Sequence, residues 1–262
     1  LPWQTAWVTG ASTGIGREIA LVLASRGVKV AVTARSAARL SELAESSPLI
    51  MPVSADVTNP RDMARAHAAI FSSLGAIDLA ILNAGVWDPM GGTDFTAARA
   101  ADSMAVNYLG LAHALEPLLP AMIEAKRGQI ALVASVAGYR GLPRAAAYAP
   151  SKAAAISLAE VLHADLARHG VKVSIVNPGF VETPMTSVNT FPMPFIIKAD
   201  DAARRIVKGL AKGKFEIAFP WQMVAILKIA RVLPYPAYFW LVRNHIAPDR
   251  ASAPAGADRA AK

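Results

Sequence analysis

Short, nearly continuous apolar runs alternate along the chain with longer segments of helical periodicity. The runs are 5–9, 28–33, 50–54, 77–82, 130–134, 171–176 and 215–219. Helical patterning fills the intervals near 14–26, 36–46, 60–74, 94–125, 150–169 and 200–212. Strands buried on both faces read as unbroken apolar runs, which is the mark of a parallel sheet. Strand, helix, strand, repeated with right-handed crossovers, predicts an α/β fold with a doubly wound sheet of about seven parallel strands flanked by helices. In such sheets ligands bind beyond the carboxyl ends of the strands. Functional side chains are therefore expected just after each apolar run.

Composition narrows the function. A chain of 262 residues with 54% apolar and 18% charged positions has ample material for one large core and is not disordered. Cysteine is absent, which excludes a disulfide framework, a thiolate nucleophile and a cysteine-held metal. The five histidines show no ligand spacing, so no metal site is expected. The net charge of +8 is concentrated in 203–245, where eight Lys and Arg face a single acid, Glu216. That local charge lacks the motif or interleaved aromatics of a nucleic-acid binder, so no nucleic-acid partner is expected. Leu1-Pro2-Trp3 leads at once into a strand without a secretory pattern, and no long uncharged apolar stretch could span a bilayer. The expected location is cytoplasmic.

The first run ends in Thr9-Gly10-Ala11-Ser12-Thr13-Gly14-Ile15-Gly16-Arg17, followed by a helical pattern. Gly10 permits a tight turn, and Gly14 and Gly16 let backbone and helix approach a pyrophosphate and the strand. About 20 residues on, where a carboxylate would take the ribose 2′-hydroxyl of NAD, stands Arg35. A guanidinium suits a 2′-phosphate, so NADP is expected and NAD is the less favoured cofactor. Arg39 reads as a solvated surface residue.

Ser135 follows the fifth run, and Tyr148-Ala149-Pro150-Ser151-Lys152 lies a little further on. Tyr148 and Lys152 are four apart and share a helix face. Pro150 belongs in a first turn, so the helix is expected to begin near it, with Tyr148 at its lip. A free phenol titrates near 10, too high for a base at neutral pH. A lysine ammonium near 4 Å is worth roughly 4 kcal/mol at an intermediate dielectric, enough to acidify it by about three units.

The glycine turn, Asn83-Ala84-Gly85, Ser135 and Tyr148-x-x-x-Lys152, in this order, resemble the short-chain dehydrogenase/reductase family from residue 5 to about 219. The resemblance implies a Rossmann-type fold and an NAD(P)-dependent oxidoreductase interconverting a secondary alcohol and a ketone or aldehyde. It implies that Tyr148 is the general acid/base, that Ser135 orients the substrate oxygen, and that Lys152 binds the nicotinamide ribose and acidifies Tyr148. Asn107 matches the family's helix Asn that supports a proton-relay water. Cofactor contacts implied by it are Gly10, Ser12, Thr13, Gly14, Ile15, Gly16, Arg35, Asp56, Val57, Asn83, Ala84, Gly85, Tyr148, Lys152, Pro178, Gly179, Val181 and Thr183. Leu82 stands where the family often has a second Asn.

Residues 184–197 occupy the family's lid position and are apolar and uncharged. They suggest an apolar alcohol or ketone, with Tyr139, Leu142 and Met185, and Arg140 nearby, joining Ser135 and Tyr148 at the substrate. The expected organisation is a cofactor-binding and catalytic domain over 1–220, an apolar and basic helical extension over 221–248, and a flexible tail over 249–262. The extension departs from the family's glycine-rich terminus. Membrane-surface contact, an oligomer interface and a cover for the substrate pocket are its three readings. A homodimer through 95–125 and 150–169 is implied by the resemblance, and a tetramer is left open. A carrier-linked 3-oxoacyl reductase and a non-catalytic NADP-binding regulator are the competing functions.

Overall fold

The computed structural model describes residues 1–246; the expected tail and the last two residues of the extension lie outside them. The elements are β1 (Thr5–Thr9), α1 (Gly14–Ala24), β2 (Lys29–Ala34), α2 (Ala37–Glu45), β3 (Ile50–Ser54), α3 (Pro60–Leu74) and β4 (Leu79–Leu82). Then come α4 (Ala97–Met104), a π-helical turn (Ala105–Leu109), α5 (Gly110–Glu124), β5 (Gln129–Val133), α6 (Tyr148–Leu166) and β6 (Lys172–Pro178). The ribbon strands β7 (Val181–Glu182) and β8 (Ile197–Lys198) bracket the lid segment. The chain closes with α7 (Ala199–Ala211), β9 (Glu216–Phe219), α8 (Trp221–Val232), α9 (Tyr235–Leu241) and a π-helical turn (Val242–Ile246).

Seven strands form one parallel sheet in the order β3-β2-β1-β4-β5-β6-β9. The continuous apolar runs resolve into two interleaved sets, because successive side chains leave a strand on opposite faces. Ala6, Val8, Val30, Val32, Leu79 and Ile81 join α1, α2 and α7 in one core. Trp7, Ala31, Ala80, Leu82, Ile130 and Leu132 join α3, α5 and α6 in the other. Both faces are thus filled, as parallel sheets require.

One predicted boundary differs. The patterning over 94–125 is a helix interrupted by the π-helical turn that contains Asn107. Helix α6 begins at Tyr148, two residues before Pro150. Proline costs little there, since amides of a first turn have no partner one turn back.

Polar groups at the amino-terminal ends of the strands are paired. Asp78 accepts the backbone N–H groups of Gln4 (2.9 Å) and Thr5 (3.1 Å), locking β1 beside β4. The buried Gln129 accepts the indole N–H of Trp3 at 3.2 Å and donates to the Leu210 carbonyl at 3.1 Å, tying β5 to α7. Gln129→Ala leaves the buried Trp3 indole N–H unpaired and removes one donor to the Leu210 carbonyl, which keeps the Gly213 amide at 2.9 Å. Urea denaturation is expected to show a loss of about 1–3 kcal/mol, and an unchanged midpoint would count against this tie.

Candidate active site

The strand order reverses between β1 and β4, and a cavity of about 360 Å³ opens there at the carboxyl ends. Its floor is the glycine turn. Gly10 (φ +65°) and Gly14 (φ +56°) adopt left-handed backbone conformations that side chains disfavour. A Cβ on Gly10 would stand 2.7 Å from Ala84 Cα, and one on Gly16 would stand 2.5 Å from the Gly10 carbonyl oxygen. The turn therefore lies backbone against backbone on the end of β4. Asn83 fastens it: its amide donates to the carbonyls of Thr9 (3.1 Å) and Gly10 (3.2 Å), and its backbone N–H donates to Thr9 Oγ1 (3.0 Å).

Helix α1 starts at Gly14 and no side chain caps it, because the hydroxyl of Thr13 makes no capping bond. Its first amides and the positive end of the helix dipole face the cavity lined by Ser12, Thr13, Gly14 and Ile15. This open cradle fits a pyrophosphate.

The far wall carries Arg35, Ser36 and Arg39 beside Asp56 and Val57. Arg39, read from sequence as a surface residue, thus belongs to the cavity with Arg35. Their nearness follows from α2 starting at Ala37 with Ser36 as its cap, which brings the helix's first turn back over the end of β2. Burial works to raise the Asp56 carboxyl, but the amide and hydroxyl of Thr58 and the Arg35 guanidinium outweigh it and hold it below the usual range.

Asn83, Ala84, Gly85, Thr183 and Met185 complete the lining. Three further expected contacts, Pro178, Gly179 and Val181, lie outside this lining. Val181 is buried in the core with its side chain turned away from the cavity lining. Pro178 meets the site through its carbonyl, which accepts from Ser135 Oγ at 3.3 Å. Gly179 packs against the extension, where a Cβ would stand 2.7 Å from Met223 Sδ.

Beyond Gly85 the catalytic candidates converge. A Cβ there would stand 3.1 Å from Asn107 Oδ1 and 3.3 Å from Lys152 Nζ, so only glycine lets the cavity reach them. Ser135 leaves β5 and accepts the Ala137 amide at 3.1 Å. Gly138 then lies against the α6 backbone, with no room for a Cβ beside the Lys152 carbonyl carbon (2.8 Å). That approach sets Ser135 beside Tyr148. Burial pushes the Tyr148 phenol up to about 12, partly offset by hydrogen bonding with Ser135. Burial pushes the Lys152 ammonium down to about 8, and Nζ donates to the Val133 carbonyl at 3.0 Å. Nζ lies 5.6 Å from the phenol ring centroid, and burial is the larger influence on both groups.

Asn107 occupies the π-helical turn. Its Oδ1 accepts the Val86 amide at 2.8 Å, and its Nδ2 donates to the Val86 carbonyl (3.1 Å) and to Ser151 Oγ (3.0 Å). The side chain is fully engaged as a clamp between the β4 loop and α6.

Of the three further residues expected at the substrate, one is engaged elsewhere. Tyr139 is buried and donates to Glu216 at 2.5 Å, so it belongs to the packing behind Ser135. Leu142 packs against the same core. Met185 lines the cavity with Thr183 and Pro184. A residue absent from the sequence expectations stands beside Tyr148. Trp87 meets Tyr148 edge-on, with ring centroids 5.0 Å apart at 85°, and its indole N–H donates to Asn189 of the lid at 2.8 Å. The one sequence cue was a bulky aromatic two residues past the Asn83-Ala84-Gly85 motif.

Among the described residues, no group of three His, Asp or Glu could hold a metal ion, and no helix is long and apolar enough to cross a membrane.

Known proteins share this architecture. A profile for short chain dehydrogenase matches residues 4–191. An uncharacterized oxidoreductase of Myxococcus xanthus is 38% identical over 242 residues, covering 91% of this chain and 96% of its own length. Dehydrogenase/reductase SDR family member 7B of Rattus norvegicus is 34% identical, over 70% of this chain and 59% of its own. A short chain dehydrogenase/reductase from Burkholderia phymatum, solved in complex with NAD, superposes with a TM-score of 0.81 at 25% identity, over 87% of this chain and 92% of that one. Matched along most of its length in sequence and in sheet topology, the chain is an oxidoreductase of the short-chain dehydrogenase/reductase family.

Proposed function

We propose that the protein is an NADP-dependent reductase of apolar ketones or aldehydes, running also in reverse on the corresponding alcohols. The observation that carries this is the convergence of Ser135, Tyr148 and Lys152 beyond Gly85, at the end of a cavity built to cradle a dinucleotide. The free amides of α1 would hold the pyrophosphate, Arg35 and Arg39 the 2′-phosphate, and Lys152 the ribose beside the reacting ring. When bound, the nicotinamide supplies or accepts the hydride.

The chain's own groups handle the proton. Ser135 donates a hydrogen bond to the substrate oxygen, and Tyr148 donates its phenolic proton as negative charge builds there. A phenol held up at about 12 stays protonated at neutral pH, ready to act as the acid. Reversal returns the proton from the alcohol to Tyr148. Trp87 and the apolar lid exclude water and favour a flat apolar substrate against the Tyr148 ring. Asn107 acts by positioning, since it holds the Val86 backbone and Ser151 on either side of the site.

Tyr148→Phe is expected to lower kcat for ketone reduction by about 10²–10⁴-fold, with NADPH affinity unchanged by fluorescence titration. Retained turnover would remove Tyr148 from the role of acid. Arg35→Ala combined with Arg39→Ala should raise the KM for NADPH by about tenfold to a hundredfold and leave that for NADH nearly unchanged. An equal effect on both cofactors would sink the preference for NADP. The pH dependence follows from Lys152, which is charged below about 8 and neutral above it. The kcat/KM for NADPH, which titrates the free enzyme, should therefore fall as pH rises through about 8. A profile flat to pH 9.5 would mean that Lys152 keeps its charge.

A further inference from the structure

We propose that the outer face of α8 and α9 docks on the surface of an anionic phospholipid bilayer. Helix α8 returns along β9, since Lys228 pairs with Glu216 at the start of that strand. Its inner side buries Leu227 and Ala230 against the body. Its outer side is also apolar, with Trp221 73% exposed, Ile226 53%, Ile229 62% and Val232 79%. A helix with an apolar outer side as well as an apolar inner one is one that something covers. On α9, Tyr235 and Phe239 extend the surface, stacked with ring centroids 5.8 Å apart and both exposed.

This surface is held rigidly. Arg140 donates to the carbonyls of Ala230 (3.1 Å), Arg231 (2.7 Å) and Leu233 (3.1 Å), closing the end of α8. Its guanidinium lies 4.2 Å from the Tyr238 ring centroid and 4.8 Å from that of Tyr235. Tyr238 donates to the Gly141 carbonyl. The extension is thus a fixed plate.

Charge selects the occupant. The only carboxylate in 202–246 is Glu216. It is spent inward, accepting from Tyr139, Asn177 and Lys228. Burial works to raise it, and these bonds outweigh burial and keep it ionised. Arg231 and Arg243 are exposed on this segment, which carries no carboxylate besides Glu216 among its described residues. A second copy seated on this face would set like charges together with no acid to meet them. An anionic headgroup layer meets the cations, and Trp, Tyr and Phe side chains suit its boundary. A break at Pro234 and helices of 12 and 7 residues lie along such a surface and cannot cross it.

The test is co-sedimentation of the full chain with vesicles of phosphatidylcholine alone or mixed equally with phosphatidylglycerol. Binding is expected to the mixed vesicles, to weaken as NaCl screens the charge, and to drop about tenfold or more in Trp221→Ser/Ile229→Ser. Val232→Glu, which adds an anion at a fully open position, should abolish it. Both variants should keep wild-type melting temperature and NADPH affinity. The proposal is overturned if the wild type stays unbound on mixed vesicles or if both variants bind as well as it does. It is also overturned if ultracentrifugation shows an oligomer that Trp221→Ser/Ile229→Ser dissociates, since the covering surface is then a second copy.

Discussion

The contact of bare backbone at the glycine turn with the end of β4 is the constraint on which the site rests. With Gly10 and Gly16 lacking side chains, the first turn of α1 comes down onto Ala84, and the Asn83 amide closes the remaining gap through two carbonyls. The cavity exists because these two strands, adjacent in the sheet but far apart in sequence, end at one level. Any Cβ at Gly10 would push them apart and separate the phosphate cradle from Gly85.

Beyond that contact, burial governs the chemistry. Tyr148 and Lys152 are both driven toward their neutral forms, one up and one down. Desolvation costs a charged group more than a partner at intermediate distance returns. The pair is thus poised, and an added charge or hydrogen bond moves it strongly. Asn107 meets α6 at Ser151 and Gly138 meets it at Lys152, which keeps the geometry of the pair fixed. The same logic binds Glu216, where three donors offset burial and a carboxylate is kept ionised between the Ser135 segment and the extension.

Much of the fold was legible because each strand run is unbroken and each helix carries a clear apolar side. The seven expected strands are the seven of the main sheet, with ends shifted by a residue or two, and the short ribbon β7–β8 was not foreseen. The start of α6 near Pro150, with Tyr148 at its lip, was legible because proline belongs in a first turn. The π-helical turn at 105–109 left no trace in the periodicity, since one extra residue per turn shifts the apolar positions only slightly.

The sequence by itself determined the order of strands and helices and the glycine turn, and it pointed to Ser135, Tyr148 and Lys152 as candidates. These depend on local conformation and on spacing within single elements, where periodicity and backbone freedom act directly. Only the tertiary structure decided which side chains meet across elements. It placed Arg39 beside Arg35, gave Tyr139 to Glu216 instead of the substrate, and set Trp87 between Tyr148 and the lid. It also showed that the outer side of α8 is open while Arg140 clamps its end. Those outcomes turn on distances between residues up to 102 positions apart, and spacing along a chain carries no information about them.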